Sequence, residues 1–218
     1  MDELIKDFEK SLFMGSTDIV GEYVELGIDS FINDGILKDL PIVNSIVAVL
    51  KTGKNIHDRN LLKQTITFIN EFNSNNISPE KLNKYKTSIE NNPKKCEDEL
   101  SRIMLLLNKF IDKEKSVLLA KLFKGYVNEI INWKEFCEYS EVIDRLFLQD
   151  LELLKEIYYK KVNITKGRDD MYRVERLNSL GVIALTMASM SISNGKSRTD
   201  SYIVLADFGK KFMDVLIK

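Results

Sequence analysis

A mainly α-helical protein, a multi-helix bundle body followed by a small C-terminal α+β module, is the fold class the sequence predicts. Three observations carry it. Glycine (10) and proline (3) are scarce among 218 residues, which leaves little turn chemistry for a β-rich chain and much room for long helices. Apolar residues recur at helical spacing through roughly the first 150 positions. Only near the end does the period change, to an apolar alternating run, a polar glycine-containing loop and a second short apolar run.

The elements follow in order. Leu4, Ile5, Phe8, Leu12 and Phe13 predict a first helix over 2–14, and Ile19, Val20, Tyr23, Val24 and Phe31 a second over 18–33. Asp34-Gly35 breaks the pattern. Pro41 then opens the most apolar segment, Leu40 to Leu50, about eleven residues interrupted by Asn44 and Ser45; a spanning helix needs about twenty, so a buried core helix is expected. A helix from about Asn55 to Phe72 ends in a polar linker. Ser78-Pro79-Glu80 caps a short helix, and Asn91-Asn92-Pro93 opens one carrying Leu100, Ile103, Met104, Leu106, Leu107 and Phe110. Leu118, Leu119, Leu122 and Phe123 stripe the next. Asn132-Trp-Lys-Glu135 is a capping box for a helix with Phe136, Tyr139, Val142 and Ile143. No repeat of solenoid period is present.

The composition excludes several function classes. An apolar content of 44% with 30% charged residues describes a globular chain. Cys96 and Cys137 have no CxxC spacing and the chain has a single histidine, His57, so zinc coordination is not expected and the thiols read as reduced and buried. Thr52-Gly53-Lys54 lacks both the GxxxxGK(S/T) spacing and a preceding strand, which rejects a phosphate-binding loop. With no paired-carboxylate motif or nucleophile elbow, no enzyme activity and no cofactor are expected. Acidic residues stand where a secretory leader carries bases, so a cytoplasmic location is expected.

The division is expected at 148/149, an all-α body over 1–148 and a module over 149–218. Asp150–Lys160 reads as the module's first helix, Thr165–Asp170 as a turn with a vestigial second helix, and Met171–Leu180 as a third helix stopped by Gly181. A strand from Val182, a loop over Ser193–Thr199, a return strand Tyr202–Leu205 and a closing helix complete it. Leu177-x-x-Leu180-Gly181-Val182-Ile183, with Tyr202-x-x-Leu205 and Phe208-Gly209-x-x-Phe212, resembles the C-terminal half of bacterial winged-helix regulators. The body, with Pro41-Ile-Val and Asp58-Arg59, resembles helical bacterial proteins that bring no activity with them.

Residues 155–218 hold 12 Lys/Arg against 7 Asp/Glu, net +5, which leaves 20 against 26, net −6, for residues 1–154. A basic end on an acidic body is a recognised pattern of polyanion contact. Arg173 and Arg176, one turn apart, with Asn178 on the same helix, are the candidates for base or phosphate contact. Lys196 and Arg198 on the wing and Lys166 and Arg168 beside the helix would add backbone contacts. Fold does not fix function, and a winged helix docks on protein equally well. The expectation is a non-enzymatic bacterial or phage-type regulatory or interaction protein. Its terminal module docks on DNA or a protein partner while the body senses a partner or forms a homodimer. The alternative is a membrane-active or phage-defence-type effector that exposes the apolar 36–50 segment.

Overall fold

In a computed structural model the described residues are 2–14, 40–49, 56–74, 77–161, 163–165, 168–193 and 196–217, with the side chains of 47, 49 and 188–200 set aside. The helix expected over 18–33 lies outside them. Ten helices and one two-stranded antiparallel sheet are present among the described residues, a mainly α protein with a small α+β part at its C-terminal end. The chain forms two compact units, Met1–Ser140 and Glu141–Lys218.

In the first unit the helices are α1 (Glu3–Leu12), α2 (Pro41–Val49), α3 (Ile56–Asn73), α4 (Pro79–Glu90), α5 (Pro93–Lys109), α6 (Lys113–Val127) and the greater part of α7 (Trp133–Arg145). Their starts follow from the sequence. Asp2 accepts from the Leu4 amide at 3.3 Å, Asn92 accepts from Lys95 N at 3.1 Å, and Pro79 and Pro93 occupy first-turn positions where their missing amides cost nothing. Asn132 and Glu135 cap each other reciprocally at 2.9 and 3.0 Å, as the capping box predicts.

Helix α3 is the axis of this unit and packs against α1, α2, α5 and α6. Its Phe68 and Phe72 stack at 6.3 Å, and Phe123 of α6 lies 5.4 Å from Phe72. The apolar α2 buries Ile42, Val43 and Ile46 and packs on α1 and α3, so the hydrophobic stretch expected to be a core helix is one over residues 41–49. Among the described residues no helix is long and apolar enough to cross a membrane.

Two of the polar groups taken furthest inside are matched, as burial demands, whereas the buried Thr65 Oγ1 has no hydrogen-bond partner among the described residues. Gln64, fully buried, accepts from Ser116 Oγ at 2.6 Å and donates to the Ile111 carbonyl at 2.8 Å. Lys124 of α6 donates to Glu71 of α3 at 2.7 Å and to Ser74 O at 3.2 Å, which explains a lysine only 6% exposed.

The second unit contains α8 (Leu148–Tyr158), α9 (Met171–Ser179), β1 (Ile183–Ser193), β2 (Lys196–Leu205) and α10 (Asp207–Ile217). Gly181 ends α9 at φ +72°, the left-handed value its position after the helix required. The polar loop expected over 193–199 is shorter. Ser193 pairs with Lys196 and Ser191 with Arg198, so the strands run on to those positions, while Asn194 and Gly195 lie outside the described residues. Segment 163–165 lies along the other edge of β2. Ile164 bridges Tyr202, Thr165 N donates to Ser201 O at 2.9 Å, and Ile203 N donates to Asn163 O at 3.0 Å. No helix forms at Thr165 or 168–170, where a vestigial one was expected; Thr165 N is committed to the sheet, and Lys166 and Gly167 lie outside the described residues.

Candidate functional site

The face formed by the start of α8 and by α9 gathers the charged residues of the second unit. Val174 and Leu177 turn the apolar side of α9 inward, and with helical spacing that leaves Tyr172, Arg173 and Arg176 toward α8. Asp150 sits in the first turn of α8, where the helix dipole favours a carboxylate. Its side chain is 1% exposed.

Asp150 holds both arginines. Arg176 donates to its two oxygens from Nε and Nη2, each at 2.7 Å, a bidentate fork, and Arg173 Nε donates to Oδ1 at 3.3 Å. Arg173 also donates from Nη2 to the Gln149 carbonyl and lies 3.5 Å from Asp170. Asp170 in turn accepts from Arg168 at 2.8 and 2.7 Å. The hydrogen bond from Arg168 lowers the Asp170 carboxyl below its usual range, and the bond to Asp150 raises Arg176. The result is a row of alternating charge, Arg176–Asp150–Arg173–Asp170–Arg168.

Aromatic rings flank the end of this row. The Arg176 guanidinium carbon is 4.4 Å from the Phe147 ring centre and 4.9 Å from that of Tyr172. Phe147 is 55% and Tyr172 57% exposed. A guanidinium whose Nε and Nη2 are fixed on a carboxylate and which lies within cation–π distance of two rings is held in place for contact.

Of the sequence candidates, Arg168, Arg173 and Arg176 come together here, engaged with Asp150 and Asp170. Asn178 is exposed on α9, with its backbone carbonyl accepting from Gly181 N at 3.0 Å. Lys196 and Arg198 stand on β2 near the hairpin end, with side chains outside the described set, and Lys166 lies outside the described residues. Sequence reasoning missed Asp150, Phe147 and Tyr172. Tyr172 and Arg176 are four apart on a predicted helix, a legible signal. Asp150, twenty-three residues from Arg173 in sequence, gave none.

The charge balance changes with the unit's outline. Over 141–218 there are 13 Lys/Arg and 11 Asp/Glu, net +2, because Glu141, Asp144, Asp150 and Glu152 belong to the same compact unit as the basic tail.

The first unit holds a separate polar cluster. Glu99, 3% exposed, accepts from Tyr126 Oη at 2.7 Å and from Tyr85 Oη at 2.9 Å. Burial raises the Glu99 carboxyl even against those two bonds. Both hydroxyls are spent on the carboxylate, which makes this a structural knot joining α4, α5 and α6.

Comparison with models of protein families, with curated proteins and with solved structures finds no match to this chain.

Proposed function

We propose that this is a non-enzymatic, cytosolic regulatory or interaction protein whose residues 141–218 form a winged-helix-like module that docks on a protein partner. The observation that carries the reading is Arg176, gripped by buried Asp150 and placed beside two half-exposed aromatic rings. Arginine and tyrosine pre-positioned in this way are the residue types that dominate protein–protein hot spots, and their rigidity lowers the entropic cost of binding. The helix, hairpin and helix order, with segment 163–165 on the free edge of β2, supports the winged-helix-like description.

Docking on DNA is the second reading, favoured by the basic tail. Against it stand the net charge of only +2 over 141–218 and the internal pairing of Arg168, Arg173 and Arg176. Phosphate contact would have to compete with carboxylates already in place. The effector reading that needs an exposed 36–50 segment loses support from the burial of Ile42, Val43 and Ile46.

Two measurements separate these readings. Duplex DNA binding followed by anisotropy from low to physiological salt should show no more than weak affinity, unchanged by Arg173→Ala/Arg176→Ala. Steep salt dependence that this double variant flattens would establish DNA docking instead. Quantitative co-purification should then find a partner retained by wild type and lost from Phe147→Ser/Tyr172→Ser at unchanged thermal stability; equal recovery by both proteins defeats the protein-docking reading.

A further inference from the structure

The second unit carries a cavity of about 560 Å³ at the corner where the end of α8, the turn after it, β2 and α10 meet. That volume lies inside the range of roughly 300–1,000 Å³ of small-molecule sites. Ile157, Ile203, Val204 and Leu205 supply its apolar lining, and Lys160 and Lys210 also line it. Ile157 and Ile203 are each 4% exposed, whereas Val204 is 45% exposed, so the apolar wall runs from the core out to solvent.

Two further observations set the sign of the ligand. Among the described residues neither Lys160 nor Lys210 makes an ion pair. Asp214, one helical turn beyond Lys210 in α10, accepts from Tyr158 Oη at 2.6 Å. Lys160 moreover sits at φ +58°, in the position after α8 where its amide donates to Ile157 O at 3.0 Å and the Lys161 amide to Glu156 O at 2.8 Å. This is a Schellman stop, normally given to glycine because a side chain there is strained. Strained backbone of this kind clusters at functional sites, and here it lies on a cavity wall.

We propose that this cavity binds a small single-chain amphiphile with an anionic head, its tail against Ile157, Ile203 and Val204 and its head between Lys160 and Lys210. The inference stands apart from the docking face on α9, and either can fail alone. The test uses the full chain, with octanoate, decanoate and decanol below their aggregation limits as probes, read by calorimetry and by backbone amide shifts. Decanoate should bind tighter than octanoate by about fourfold per methylene buried, roughly fifteenfold for the pair. Decanol should bind more weakly than decanoate. Lys160→Met and Lys210→Met should each weaken decanoate by about two- to fivefold, the size expected of a solvent-exposed ion pair.

Lys160→Gly is the second variant at Lys160, because it removes the charge while relieving the backbone. It should unfold no earlier than wild type and still bind decanoate more weakly. Amide shifts should centre on 203–205, and Val204→Trp should abolish binding. The proposal is overturned by absence of decanoate binding, by decanol binding as tightly as decanoate, by decanoate affinity indifferent to both lysine substitutions, or by shifts that leave 203–205 unmoved.

Discussion

Gly209 in α10 is the position where a single methyl group should do most damage. A Cβ built there lies 1.9 Å from the Val182 carbonyl oxygen, 2.6 Å from its carbon and 2.8 Å from its Cα. A relaxed C···O contact is about 3.3 Å or longer, so helix and strand entry must separate by about 1.4 Å. The obstacle is backbone and has no rotamer to escape into. The same carbonyl accepts from Ala206 N at 3.2 Å, just before α10 begins, so displacement also strains the start of the helix. Phe212, Met213, Val215 and Leu216, all at most 5% exposed, ride on α10 and would be lifted with it. Overpacking alone costs about 1–3 kcal/mol, and partial loss of that apolar burial brings the expected cost of Gly209→Ala to about 3–4 kcal/mol. Gly181→Ala is the control. Its Cβ meets nothing within 4 Å, and only φ +72° opposes it, worth about 1 kcal/mol. Urea unfolding with amide exchange of α10 and β1 measures both. Equal destabilisation by the two substitutions, or a Gly209→Ala cost below about 1 kcal/mol, would refute the packing argument.

Three other outcomes are expected. Asp150→Ala should destabilise the second unit by about 2–3 kcal/mol, below the roughly 3–5 kcal/mol of breaking a fully buried pair because Arg176 is 36% exposed and rehydrates; a loss below about 0.5 kcal/mol in denaturant unfolding would show the network to be ornamental. The Lys81 and Lys84 ammonium groups bonded to Glu129 hold its carboxyl down at about 2, below its unfolded value. Its stabilising contribution is therefore present above about pH 4.5 and fades as pH falls toward 2, so the stability gap between wild type and Glu129→Gln should close on acidification; a gap that widens contradicts the sign. Burial foremost, with Glu9 beside it, pushes the Cys96 thiol up to about 12, so native-state labelling at pH 8 should spare Cys96 until the protein unfolds, and mass spectrometry of early adducts on Cys96 would count against the placement.

Much of the fold was legible because it rests on local rules. The Asn132/Glu135 box, Pro79, Pro93 and Gly181 mark element ends through their own backbones and nearest neighbours. The strands extend to Ser193 and Lys196, further than the sequence suggests, because the serine-rich and charged residues there read as loop by polarity. The candidate site was half legible. Arg173 and Arg176 were visible at their helical spacing, but what they face was not, since Asp150 comes from another helix and Phe147 from the turn before it.

The sequence by itself determined the mainly α class and the small α+β end, because helical period, capping residues and the shortage of glycine and proline act over a few residues at a time. Only the tertiary structure decided what Arg168, Arg173 and Arg176 face. Electrostatic meaning depends on distance in space, and two carboxylates within hydrogen-bond reach turn three apparently free arginines into an internal lattice. The same holds for Lys160 and Lys210, fifty residues apart in the chain, which folding brings to one cavity.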